Sequence, residues 1–128
     1  DCYNANPMSM RAALDDLAAT ATRATAARRV AVLGEMLELG PEQRAYHLAV
    51  GEHCGAVGVD LLVTVGPLAR GIADGYGRGE ATHATADAEQ AAALVPGLLE
   101  PGDVVLVKGS RAVGLERVCH AVHAGAID

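Results

Sequence analysis

The sequence contains no tryptophan and no phenylalanine, and three tyrosines are its only aromatic residues. Its core therefore has to be built from Leu, Val and Ala. Side chains this small suit helices packed closely on a sheet, but they offer no platforms for stacking nucleic-acid bases. Cysteine is nearly as scarce. Cys2, Cys54 and Cys119 are odd in number and far apart, with no CxxC pair and no zinc spacing. They read as reduced, buried thiols of a cytoplasmic protein, not as a disulfide or metal framework. No apolar run approaches the roughly 20 residues of a membrane-spanning helix, and no signal peptide is present, so membrane insertion is not expected. Basic charge is also short: the net charge is −6, and the one adjacent basic pair, Arg28-Arg29, leads into a strand. Without a basic stripe, nucleic acid is not an expected partner. The GxxxxGK[ST] phosphate loop is missing, as are GxGxxG, HExxH and GxSxG, so the chain alone has no means to hydrolyse ATP.

What is present is one domain's worth of globular sequence, 128 residues that are 51% hydrophobic and 20% charged. Short β-branched runs alternate with longer amphipathic stretches. Residues 29–33, 61–65 and 104–107 predict fully buried strands of the kind found in a parallel sheet covered on both faces, with a weaker strand at 81–84. Helices are predicted over about 7–22, 41–56, 67–76, 87–99 and 114–124. Met10, Leu14, Leu17 and Ala21 share one face of the first, and Leu115, Val118, Cys119 and Val122 one face of the last. Asn6 caps the first helix ahead of Pro7, while Pro41 and Pro67 open the second and third. Pro96-Gly97 is expected to kink the fourth helix or end it early, and Gly75–Gly79 to form a loop. Pro101-Gly102-Asp103 is a turn feeding the last strong strand. Alternating strand and helix gives a doubly wound α/β domain. No repeat, low-complexity linker or internal boundary interrupts it.

In such sheets ligands bind beyond the carboxyl ends of the strands. Three buried strands end in glycine, at Gly34, Gly66 and Gly109, and three segments there can carry chemistry. In Asp1-Cys-Tyr-Asn-Ala-Asn-Pro7, a helix start offers free N–H groups to an anion and Asp1 can accept from ribose hydroxyls; from the residues alone a plain polar turn with a cap is the preferred account. In Gly34-Glu-Met-Leu-Glu-Leu-Gly40, Glu35 follows a buried strand and can hold a cation or an amine. Alternatively this is a solvated loop with Met36, Leu37 and Leu39 packed beneath, which is the preferred account of Glu38. In Lys108-Gly-Ser-Arg111, two cations and a hydroxyl suit a carboxylate or phosphate, with a surface ion pair as the alternative. His120 and His123 are three apart on a helix but lack a third ligand, and they read as solvated. His47, His53 and His83 show no catalytic spacing.

These same three segments resemble motifs of the Mur ligase family. Asp1-Cys-Tyr-Asn-Ala-Asn-Pro-Met-Ser9-Met-Arg-Ala-Ala-Leu14 is similar to its D-x-Y-N-A-N-P-x-S-M-x-A-A-L segment. Val32-Leu-Gly-Glu-Met-Leu-Glu-Leu-Gly40 resembles V-L-G-[DE]-M-x-E-L-G, and Pro101-Gly-Asp-Val-Val-Leu-Val-Lys-Gly-Ser-Arg111 resembles P-G-D-x-x-L-x-K-G-S-R. The second and third belong to the branch that adds D-alanyl-D-alanine. Ala112-Val113 depart from a methionine common in relatives, and Pro96-Gly97 interrupts a helix usually continuous there.

The resemblance implies a Rossmann-like three-layer αβα sandwich with a mostly parallel sheet. Residues 1–128 would form a single C-terminal domain whose first strand precedes Asp1, cut from an N-terminal UDP-substrate domain and a central ATPase domain. It implies an ATP-dependent ligase of peptidoglycan synthesis acting on UDP-N-acetylmuramoyl-tripeptide and D-alanyl-D-alanine, with ATP and Mg2+, the metal held mainly by the central domain. Asp1, Tyr3, Asn4 and Asn6 would line the ATP side, and Glu35, Lys108, Ser110 and Arg111 the dipeptide side. No catalytic residue is assigned to this domain, which is expected to be inactive alone. The alternative is a stand-alone nucleotide-binding α/β module without ligase activity.

Overall fold

The computed structural model describes residues 5–22 and 27–127, with side chains described as far as residue 122. Along them run α1 (Pro7–Thr20), β1 (Arg29–Gly34), α2 (Gln43–Ala56), β2 (Leu61–Val65), α3 (Arg70–Tyr76), β3 (Thr82–Thr85), α4 (Ala88–Leu98), β4 (Val104–Lys108) and α5 (Glu116–Ile127). The strands form one sheet in the order β3-β2-β1-β4, with every neighbouring pair parallel. Val30 stands level with Leu61 on one side and Val105 on the other.

Because side chains alternate along a strand, each strand serves two cores. Ala31, Leu33 and Leu62 bury one sheet face beneath Met10, Leu14 and Leu17 of α1, Val50 and Cys54 of α2, and Ile72 of α3. Val32, Val63, Val65 and Val107 bury the other beneath Ala88, Ala91 and Val95 of α4, with Leu115 and Val118. The αβα layering and parallel sheet are those the sequence implied. All four apolar residues read from the first helix, Met10, Leu14, Leu17 and Ala21, are buried.

Several local expectations change. Val104, Val105 and Leu106 are only half-buried, because β4 lies at the end of the described sheet and not at its centre. The fourth helix runs through Pro96 to Leu98. Pro96 falls in its last turn, where the missing N–H forfeits a single bond, to the Ala92 carbonyl. Gly75 and Tyr76 belong to α3, which ends on Gly77 in the left-handed conformation at φ 69°. Pro41 opens a 3-10 turn, Gly40–Glu42, ahead of α2, and Pro67 lies three residues before α3.

The two adjacent arginines are structural. The Arg29 guanidinium donates to the carbonyls of Ala18 (3.2 Å), Ala21 (2.7 Å) and Val57 (2.6 Å), closing the C-terminal ends of α1 and α2. Arg28 binds both carboxylate oxygens of Asp103, at 2.9 and 2.7 Å, and the Leu98 carbonyl at 2.9 Å. Cys54 is a buried free thiol, and burial pushes it up to about 12; Cys119 is half-buried, and Cys2 lies outside the described residues. Among the described residues no helix is long and apolar enough to cross a membrane.

Candidate functional site at the β1–β4 switch point

The chain lays down β1, β2 and β3 in one direction, then returns past β1 to place β4 on its other side. The helices follow this reversal: α2 and α3 cover one face and α4 the other. Between the carboxyl ends of β1 and β4, successive connections therefore leave in opposite directions and open a crevice, the place where open α/β sheets take their ligands. The first helix reaches the same edge. It runs against the strands, since its last carbonyls meet Arg29 at the amino end of β1, so Asn6 stands at the carboxyl end.

Two glycines bring the loops of the crevice together. A Cβ on Gly109 would lie 2.9 Å from the Gly34 Cα, so the two chains touch backbone to backbone where β1 and β4 end. Beyond that contact the loops are knitted by hydrogen bonds. The Glu35 N–H donates to the Val65 carbonyl (3.2 Å), and the Ser110 N–H donates to the Glu35 carbonyl (2.9 Å). The Leu37 N–H donates to the Ser110 hydroxyl oxygen at 2.8 Å. Ser110 thus accepts through Oγ while its hydroxyl proton is left to donate.

Glu35 lies across the next loop. Its Oε2 accepts from the Leu68 N–H at 2.7 Å, just past β2. The approach is possible only because residue 66 is glycine: a Cβ there would sit 2.5 Å from the Glu35 Cδ, and Gly66 has φ +100°. Part of the Glu35 carboxylate is therefore spent on tying β1 to β2. Met36 is fully buried and Leu39 packs on the core, as the loop reading expects, and exposed Glu38 takes the left-handed conformation at φ 60°.

Lys108 is the last residue of β4 and not the first of the loop, level with Leu33 and 5% exposed. By that register its side chain leaves the sheet on the face that α1 covers. Arg111 is exposed and opens the 3-10 turn Arg111–Val113. Asn6 is the N-cap of α1: its side chain accepts from the Ser9 N–H (2.9 Å), and its own N–H donates to the Ser9 hydroxyl (3.0 Å). Asp1, Tyr3 and Asn4 lie outside the described residues.

Sequence reasoning missed His47. Its imidazole is fully buried and accepts the Met36 N–H at 3.0 Å, in the middle of the Glu35 loop. No spacing rule marks it, because the contact joins a helix to a preceding loop.

Two other clefts carry less chemistry. One of about 490 Å³ opens at the opposite edge between Ala21, Arg28, Arg29, Gly58 and Asp60, where both guanidiniums are already engaged. Another of about 410 Å³ lies at the starts of α4 and α5, with three carboxylates, Asp87, Glu89 and Glu116, against Arg117. That balance disfavours a phosphate. Among the described residues no three His, Cys, Asp or Glu side chains are grouped to hold a metal.

Residues 1–111 match the profile of the family described as Mur ligase, glutamate ligase domain. The chain belongs to the Mur ligase family. It is similar to the UDP-N-acetylmuramoyl-tripeptide--D-alanyl-D-alanine ligase of Mycobacterium tuberculosis, 44% identical over 95% of this chain and 28% of that protein. The Escherichia coli ligase of the same name is 38% identical over 95% of this chain and 26% of its own length. Solved structures agree. The MurF ligase of Thermotoga maritima, in complex with ADP, superposes with a TM-score of 0.77 at 28% identity, over 99% of this chain and 28% of that one. A MurF of Acinetobacter baumannii gives 0.82 at 29% identity, over 97% and 27%. The chain thus spans little more than a quarter of the relatives it matches.

Proposed function

We propose that this domain is the closing, C-terminal part of a ligase that joins D-alanyl-D-alanine to UDP-N-acetylmuramoyl-tripeptide in peptidoglycan synthesis, with ATP as the energy source. The observation that carries the reading is the crevice between β1 and β4, where the Glu35 carbonyl takes the Ser110 N–H and Arg111 follows in the same loop, in a chain lacking a phosphate loop. The names of the similar ligases and the ADP in the Thermotoga relative support it.

In this reading a carboxylate oxygen of the tripeptide attacks the γ-phosphorus of ATP, releasing ADP and leaving an acyl phosphate. The dipeptide ammonium gives one proton to solvent, the free amine attacks the acyl carbon, and the nitrogen gives a second proton to solvent. The tetrahedral intermediate then expels phosphate and leaves the amide. Asn6, with Asp1, Tyr3 and Asn4, is assigned to the ATP side. Arg111 and Lys108 supply positive charge for the dipeptide carboxylate, and the Ser110 hydroxyl supplies a donor. Glu35 offers the carboxylate oxygen not bound to Leu68 to the incoming amine. Magnesium, as the family resemblance implies, would be held mainly by the central domain, and no step here runs through it. Closure would align amine and acyl phosphate and keep water from hydrolysing the latter.

The test is Arg111→Ala in the full-length polypeptide. Loss of a charge-assisted contact is expected to raise the KM for D-alanyl-D-alanine by about tenfold or more while the KM for ATP stays within about twofold. A change confined to ATP would move this loop to the nucleotide side. Failure of the unmodified polypeptide to form amide from these substrates would overturn the reading.

A further inference from the structure

His47 is fully buried on α2, among inward residues that are otherwise Val50, Gly51 and Cys54. An imidazole so placed must satisfy both ring nitrogens. Nδ1 lies 2.7 Å from the carbonyl oxygen of Gln43, one turn back on the helix, and Nε2 lies 3.0 Å from the backbone nitrogen of Met36. A carbonyl only accepts and an amide N–H only donates, so both contacts are satisfied by one state: the neutral ring with its proton on Nδ1. The helix that carries the ring is also closely packed. On α3, Gly71 packs so closely that a Cβ there would lie 2.8 Å from the His47 Cβ. His47 is a fixed bracket between α2 and the loop that follows β1.

That loop is the floor of the crevice. Met36 is flanked by Glu35, whose carbonyl takes the Ser110 N–H, and by Leu37, whose N–H goes to the Ser110 hydroxyl. Both contacts with Ser110 depend on how the peptide units on either side of Met36 are turned. Met36 is itself fully buried, and an amide left there without an acceptor would turn to find another. We infer that His47 is a positioning residue: by accepting the Met36 N–H it fixes the orientation in which Glu35 reaches Leu68 and Ser110 is held at both its N–H and its hydroxyl. The inference rests on the proposed reading of this crevice as the dipeptide side.

The experiment compares His47→Leu with His47→Gln in the full-length polypeptide. Leucine keeps the bulk and removes the acceptor; glutamine carries an amide oxygen able to stand where Nε2 stood. Three readouts are taken: amide hydrogen exchange of residues 35–37, KM for D-alanyl-D-alanine against KM for ATP, and the melting temperature. His47→Leu is expected to speed exchange at 35–37 by about tenfold and to raise the dipeptide KM by a similar factor, with the ATP KM within about twofold. His47→Gln is expected to restore both, which a purely structural role would not require at equal melting temperature. In the unmodified protein, nitrogen chemical shifts of His47 should show the proton on Nδ1; a proton on Nε2 overturns the bracket even if the leucine variant fails to fold. Unchanged exchange at 35–37 in His47→Leu also overturns it. Faster exchange with an unmoved dipeptide KM, where Arg111→Ala does raise that KM, overturns the positioning role. If neither variant moves it, the reading of the crevice fails instead.

Discussion

Asp103 is nearly buried, with its side chain 5% exposed, and it is held there by the two-point grip of Arg28. The guanidinium hydrogen bond holds its carboxyl below the usual carboxylate range, helped by the Glu100 N–H, and the Arg28 guanidinium is correspondingly raised. The pair ties the start of β1 to the turn that feeds β4, which are neighbours in the sheet but 75 residues apart in the chain. A carboxylate with a depressed folded value stabilises the fold above its unfolded value, and that contribution is lost as pH falls through the folded one. Arg28 stays charged throughout. Asp103→Asn is therefore expected to cost about 1–2 kcal/mol at neutral pH, and the gap from wild type should close as pH drops below about 4. Urea midpoints measured from neutral to acid pH check this; a gap that persists undiminished in acid would show that the charge is irrelevant. The sequence made each partner legible alone, Asp103 as a turn residue and Arg28 as the lead into a strand. It could not show that they meet, because no local pattern records a contact across the sheet. Asn6 was readable as a cap because that bond is local, whereas the ties of Glu35 to Leu68 and of His47 to Met36 were not.

At the scale of elements, a glycine seam joins α2 to α3. A Cβ on Gly51 would lie 2.0 Å from the Ile72 carbonyl oxygen, and one on Gly75 would lie 2.1 Å from that of Leu48. Both obstacles are backbone, which cannot swing aside. Gly55, on the same helix as Gly51, meets nothing within 4 Å. The two positions should respond to alanine with opposite signs. Gly55→Ala is expected to stabilise by about 0.5–1 kcal/mol through helix propensity. Gly51→Ala gains the same and loses more, a net cost of about 2 kcal/mol from forcing the helices apart. Denaturant melts of both variants decide the matter, and equal effects would mean that the seam is not tight. The seam was not legible beforehand: Gly75 read as the start of a loop, since a glycine in a helix and a glycine in a turn look alike without their neighbours. Strand existence was legible from β-branched runs. Strand order was not, and so β4, as apolar as a central strand, proved half-buried at the end of the described sheet.

At the scale of the whole molecule, the reversal of strand order at β1 and β4 places one crevice at the carboxyl ends of the strands. Transfer of phosphate needs a cradle for the β- and γ-phosphates, which a phosphate loop supplies and this sequence lacks. On the proposed reading, an acyl phosphate formed in an open half-site would be exposed to water, and the domain would act by closing against the part that binds ATP. The isolated 128-residue chain is accordingly expected to release no phosphate from ATP and to form no amide from the tripeptide nucleotide and D-alanyl-D-alanine, while the full-length polypeptide does both. Phosphate release and product formation, measured for the two side by side, test this. Turnover by the isolated chain would mean that the crevice is a complete active site, and the closing role would have to be abandoned.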